Sequence, residues 1–158
     1  MLTSDRLAIR NLNNDDLDIL YDYRNDKECG KYQRWDNTSK IYIEYLIDKE
    51  KYKVFGVDTG NFAIVNKTSN VIVGDIFFSI KDKTITLGYT IAPQHQRKGY
   101  AFEILSKVLL YIDKNLKEYE TVALVDPLNE PSIKLLEKLE FVRDGYIEKL
   151  KSILYVKV

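Results

Sequence analysis

The stretch that most restricts the fold runs from Thr84 to Val125. Two short apolar runs, TITLGYTI at Thr84–Ile91 and TVALV at Thr121–Val125, flank a long amphipathic segment. In that segment Ala101, Ile104, Leu105, Val108, Leu109, Ile112 and Leu116 recur at the spacing of one helix face, leaving Glu103, Lys107 and Lys114 for solvent. A strand, a crossover helix and a second strand place the two strands parallel with a right-handed connection. A right-twisted strand packs its helix back onto the sheet only in that hand. This parallel pair is the fixed point around which the remaining segments must be arranged.

Before it, Arg6 to Leu12 partly alternates and reads as a strand. Asn13 and Asn14 offer caps to a short helix carrying Leu17, Ile19, Leu20 and Tyr23. Asn25 to Asp36 has no clean period and reads as a loop. Asn37 or Thr38 then caps a second helix through roughly Glu50. Strands at Asn61–Asn66, Val71–Ile80 and Thr84–Ile91 follow one another through the short turns NKTSN and KDK, so they pair antiparallel. After the crossover come a helix at Glu130–Leu139 and strands at Phe141–Ile147 and Ile153–Val158. The expected architecture is α/β: one domain over residues 1–158, a mixed and mostly antiparallel sheet, and helices on both faces.

The chain has 158 residues, with 24 Lys plus Arg against 24 Asp plus Glu. Such a balance gives no global reason to expect nucleic acid or a membrane as partner, so any anion site must be local. Cys29 is the only cysteine, which excludes an intrachain disulfide and fits a reducing cytoplasm. MLTSDRLAIR lacks the apolar core of a signal peptide, and cytoplasmic location is expected. His95 is the only histidine, with no Cys/His cluster, so no metal is expected. The sequence leaves the oligomeric state open, a homodimer being one option.

The local anion site is at the front of the crossover helix, where Gln96-Arg97-Lys98-Gly99-Tyr100-Ala101 stands in place of the usual Ser, Thr, Asp or Asn cap. The first N–H groups of a helix lack intrahelical partners, and the macrodipole adds partial positive charge. Gly99 and Ala101 are small enough for a ligand to lie against them, as phosphate oxygens do at helix N-termini. A surface turn with solvated charges would have the same composition. Neither G-x-x-x-x-G-K-[ST] nor G-x-G-x-x-G occurs, which argues against nucleotide hydrolysis and dinucleotide binding.

In order along the chain, the strand TLGYTIAP, the loop QRKGYA and the helix NEPSIKLLEKLEF resemble the fourth strand, the Q/R-x-x-G-x-G/A acetyl-CoA loop and the N-x-x-S helix of GNAT N-acetyltransferases. LTSDRLAIRNLNNDD resembles the branch that includes ribosomal-protein N-terminal and antibiotic acetyltransferases. Glu140 stands where the closing turn of that helix usually has glycine. The resemblance implies a sheet splayed between its fourth and fifth strands, with the pantetheine arm of acetyl-CoA entering the gap. It implies main-chain contacts from Tyr89, Thr90 and Ile91 to that arm. The pyrophosphate would be held by the loop of Gln96, Arg97, Lys98, Gly99, Tyr100 and Ala101, and Asn129 and Ser132 would lie near the arm and sulfur. Asn129 also suits a helix N-cap, and Ser132 a hydroxyl bonding locally at a helix start.

The implied reaction is acetyl transfer to a primary amine, a protein N-terminus or a small molecule, by direct attack. Ser132 is the candidate donor of a proton to the departing thiolate. A noncatalytic acyl-CoA-binding module is the alternative. Several relatives carry an acidic residue where this chain has Thr86, so no general base is assigned. Tyr32 and Trp35 in KYQRWD, with Asp75 and Tyr89, are the candidate acceptor-binding residues. In KYQRWD the aromatics Tyr32 and Trp35 with the carboxylate of Asp36 suit a cationic amine, and an aromatic latch packing that segment to the sheet would use the same residues; Asp75 could act through water or only pair at a strand end.

Overall fold

The computed structural model describes residues 2–158. Its elements, in order, are β1 (Leu7–Asn11), α1 (Leu17–Arg24), α2 (Lys27–Gly30), α3 (Lys40–Glu50), β2 (Gly60–Asn66), β3 (Ile72–Lys81), β4 (Thr84–Ile91), α4 (Tyr100–Asn115), β5 (Glu120–Val125), α5 (Glu130–Lys138), β6 (Phe141–Ile147) and β7 (Ser152–Lys157). The strands form a seven-stranded sheet in the order β1-β2-β3-β4-β5-β7-β6. Neighbours pair antiparallel except β4 and β5, the parallel pair that the crossover helix requires.

Helices cover both faces. On one, α4 buries Ile104, Leu105, Val108 and Ile112, and α5 buries Leu136, against Ile76, Phe78, Ile85 and Leu87 of the sheet. Each such side chain contributes roughly 1.5–3 kcal/mol by leaving water. On the other, Leu20 and Tyr23 of α1 and Ile43, Leu46 and Ile47 of α3 pack on Ala63, Val65 and Ile72.

Three local readings are corrected. The cap of α3 is Ser39, whose hydroxyl accepts from Tyr42 N–H, while Asn37 and Thr38 bond within the preceding turn and to Asn25. Residues 27–30 form the short α2, capped by Asp26 on Cys29 N–H, inside the expected loop. Glu103 does not face solvent: Ser4, Arg6 and the Arg6 main chain all donate to its carboxylate.

The β4–β5 register runs from Thr84↔Glu120 to Leu87↔Ala123 and stops. Beyond it, β4 continues on β3 through Ile91↔Gly74, and β5 continues on β7 through Val125↔Ile153. Each strand keeps its outer partner and loses its inner one, so the sheet opens into a cleft between Gly88–Ile91 and Leu124–Val125. The expected splay is present.

Candidate active site

The cleft has a volume of about 1390 Å³ and runs between the two helical layers. Along its β4 wall, main-chain groups alternate in direction. Ala92 N–H donates to Val73 of β3, and a two-residue period turns Tyr89 and Ile91 to the open edge. The Ile91 carbonyl already accepts Gln96 Nε2 at 2.9 Å, which ties the following turn to the strand end. Tyr89 is the freer of the two. Thr90 faces Asp75 across the β3–β4 pair.

The cleft ends at the N-terminus of α4. Arg97 (φ 61°) and Gly99 (φ 78°) are both left-handed, which rolls the chain over into the helix. Among the described residues, none of the N–H groups from Arg97 to Phe102 has an acceptor in the chain; the first bond of the helix is Glu103 N–H to Gly99 C=O. These donors and the helix dipole make a site for an anion. A Cβ built on Gly99 would meet only Arg6 Nη2, at 3.6 Å, so glycine is needed there for its backbone angle and its bare surface rather than to avoid a collision with the protein.

Arg6 braces this turn from outside. Its Nη2 donates to Lys98 C=O at 2.8 Å, its Nε to Glu103 at 2.7 Å, and its guanidinium lies 4.6 Å from the Tyr100 ring centroid. With Lys98 C=O turned back to Arg6, the neighbouring N–H groups are left for a ligand. Burial works against the Glu103 charge, but hydrogen bonds from Ser4 and Arg6 prevail and hold its carboxyl below the usual range. Burial and the Lys98 ammonium hold His95 below the usual imidazole range, so it is neutral near pH 7.

On the opposite wall, Asn129 caps α5 by accepting from Ser132 N–H at 3.3 Å, so its side-chain oxygen serves the cap. That cap presents Ser132 Oγ 2.6 Å from Tyr89 Oη. Burial pushes the Tyr89 phenol up to about 12, opposed by the Ser132 bond, so it stays protonated. β4 and α5 thus bring Tyr89 and Ser132 together across the cleft, 43 residues apart in sequence.

The α1–α3 side of the cleft holds Arg24, Cys29, Tyr32, Trp35 and Asp75. Tyr23 donates to Asp75, Arg24 Nη2 lies 3.5 Å from Asp75 Oδ2, and the guanidinium lies 4.8 Å from the Trp35 ring centroid. Burial pushes the Cys29 thiol up to about 11, far from a reactive thiolate. Thr86 lines the same cleft with a hydroxyl and no charge.

A splayed parallel pair that points at a bare helix N-terminus narrows the families open to this chain, and one family model decides. The acetyltransferase (GNAT) domain model matches residues 6–142. The chain belongs to the GNAT acetyltransferase family. It is similar to the uncharacterized N-acetyltransferase p20 of Bacillus licheniformis, 29% identical over 158 residues, covering 96% of this chain and 89% of that protein. It is also similar to the [ribosomal protein uS5]-alanine N-acetyltransferase of Escherichia coli, 26% identical over 168 residues, covering 92% and 79%. Among solved structures, a GNAT-family acetyltransferase from Bacillus anthracis superposes with a TM-score of 0.82 at 25% identity, over 98% of this chain and 94% of that one. The chain is an N-acetyltransferase.

Every candidate cofactor- or acceptor-binding residue from the sequence lines this GNAT cleft except Lys98, whose side chain is exposed beside it. Two groups of residues escaped the sequence reading. Arg6 and Glu103 lie 97 positions apart, Arg6 just before β1 and Glu103 on the helix face assigned to solvent. Tyr23 was read only as an apolar position of a short helix, and Arg24, which follows it, was not singled out.

Proposed function

We propose that this N-acetyltransferase takes acetyl from acetyl-CoA and passes it to a primary amine, a protein N-terminus or a small molecule, by direct attack. One observation carries the reading: an opened strand edge leads to a helix N-terminus whose N–H groups from Arg97 to Phe102 are unspent. A diphosphate fits those donors, and an extended amide-bearing arm fits the free edge at Tyr89. GNAT acetyltransferases in general use this donor, which supports the same assignment.

The reaction on this reading is a single displacement. The neutral amine nitrogen bonds to the thioester carbonyl carbon, the C–S bond breaks, and the amine gives its proton to solvent water, which later returns one to the Tyr89–Ser132 pair. The departing thiolate takes a proton from the Tyr89–Ser132 pair, where the phenol is held protonated. Ser132 is the residue placed nearest this step by sequence, and Tyr89 is its partner. The acceptor enters from the side of Tyr32, Trp35 and Asp75. The chain acts as one catalytic domain over residues 1–158, in the cytoplasm. No helix among the described residues is long and apolar enough to cross a membrane.

The test is incubation with acetyl-CoA and a panel of amines, following free thiol and acetylated product together. Thiol release that matches product, and that is lost in Gly99→Asp, is the expected result; the aspartate puts negative charge at the diphosphate site. Saturable CoA binding without turnover on any amine would contradict the transfer, and unchanged CoA affinity in Gly99→Asp would contradict the loop.

A further inference from the structure

At the acceptor end of the cleft is a cation that the protein itself does not satisfy. Arg24 is 7% exposed and Asp75 3%. A buried guanidinium normally spends its donors on hydrogen bonds, because leaving them unmade costs their desolvation. Among the described residues Arg24 makes none: its Nε is buried without a partner, and its approach to Asp75, at 3.5 Å, is an ion pair outside hydrogen-bond geometry. Asp75 is half-spent in the same way. Tyr23 donates to its Oδ2, while none of the described residues donates to Oδ1.

Both groups are held rigidly. Trp35 stacks on the guanidinium, and its ring packs against Gly30, where a Cβ would lie in ordinary contact at 3.5 Å. Tyr23 fixes the carboxylate. The result is a positive donor and a negative acceptor side by side on the cleft wall, each with capacity to spare.

We propose that Arg24 and Asp75 form a dipolar seat that selects acceptors whose reactive amine stands beside an oxygen, as in an amino-acid amide or the first residue of a peptide. The assignment rests on the acetyl-transfer reading and adds the acceptor's chemistry to it. In such a molecule the amine nitrogen and the adjacent carbonyl oxygen are about 3 Å apart, set by standard bond lengths. That spacing lets one molecule span Arg24 and the spare Oδ1 of Asp75, whose Oδ2 lies 3.5 Å from Arg24 Nη2. The oxygen accepts from Arg24 and the amine donates to Asp75. A plain alkylamine leaves Arg24 unsatisfied, and a polyamine brings further positive charge against it.

The experiment compares alaninamide, sec-butylamine and spermidine as acceptors, with kcat/KM expressed per mole of neutral amine so that their different pKa values do not enter. The wild-type protein should prefer alaninamide over sec-butylamine by about 10²-fold or more, as sites built to bond a substrate oxygen do. Arg24→Met should bring the two within a few-fold while leaving CoA affinity unchanged. Equal use of sec-butylamine or spermidine by the wild type overturns the seat and leaves acetyl transfer standing. A proportional loss on all amines in Arg24→Met also overturns it, since a purely structural residue would behave so. Should that variant fail to fold, the wild-type panel decides alone. Absence of thiol release with every amine overturns the acetyl-transfer reading and this assignment with it.

Discussion

Tyr89 and Ser132 share a 2.6 Å hydrogen bond that neither residue's own element would predict. A strand side chain and a helix-start hydroxyl meet because Asn129 caps α5 and sets the first turn at the cleft wall. The Tyr89 phenol, pushed up to about 12 by burial, keeps its proton throughout the range in which an α-amine, near ~8, becomes neutral. The rate should therefore rise with pH as the acceptor amine deprotonates, and no loss from Tyr89 ionisation should appear below about pH 10. Tyr89→Phe should lower kcat by about 10²-fold, in the range of a lost general acid, with a smaller change in KM for acetyl-CoA. Ser132→Ala in the Tyr89→Phe background should then add little, because the two act through one proton. Steady-state kinetics on the two single variants and the double variant measure this. Additive losses would show that the residues act separately.

Among the elements, the turn after α5 tests how backbone geometry is tolerated. Glu140 sits at φ 68°, a conformation that suits glycine, and its N–H bonds back to Glu137 C=O at 3.0 Å. A left-handed non-glycine costs roughly 1–2 kcal/mol, and glycine returns part of that as extra unfolded-state entropy. Glu140→Gly should stabilise the protein by about 0.5–1 kcal/mol without altering turnover. Thermal or urea unfolding reads the change, and destabilisation would mean the carboxylate has a compensating role.

The same element level shows what a sequence can disclose. The period of Ala101 to Leu116 gave α4, and the crossover rule gave the parallel β4–β5 pair, because both depend on local spacing. The position of β7 between β5 and β6 depends on long-range pairing and left no local trace. It makes sense only afterwards: Arg143, Asp144 and Gly145 suit a bulged, exposed edge strand, while Ile153 and Tyr155 are buried. The bare helix start after Arg97 was legible because it is made by backbone and small residues, which a motif records. The Arg6–Glu103 brace and the Arg24–Asp75 pair were not, since each joins residues brought together only by the finished sheet.

At the scale of the whole molecule, the two apolar layers meet the sheet from opposite sides, and the cleft opens where its central pairing ends. On the proposed reaction, the donor enters from the α4–α5 side and the acceptor from the α1–α3 side, to meet at Tyr89. The balanced net charge means that recognition depends on these local groups rather than on a global field. Acetyl transfer in this cleft requires the N–H groups at the start of α4 and the free edge of β4 to bind one ligand together. Backbone amide resonances followed by ¹⁵N–¹H NMR during titration with CoA test this directly. Signals of Arg97 to Phe102 and of Tyr89 should move in concert and saturate at one equivalent, and should stay unmoved in Gly99→Asp at the same CoA concentration. Saturable CoA binding that leaves those amides unshifted in the wild-type protein would contradict the account.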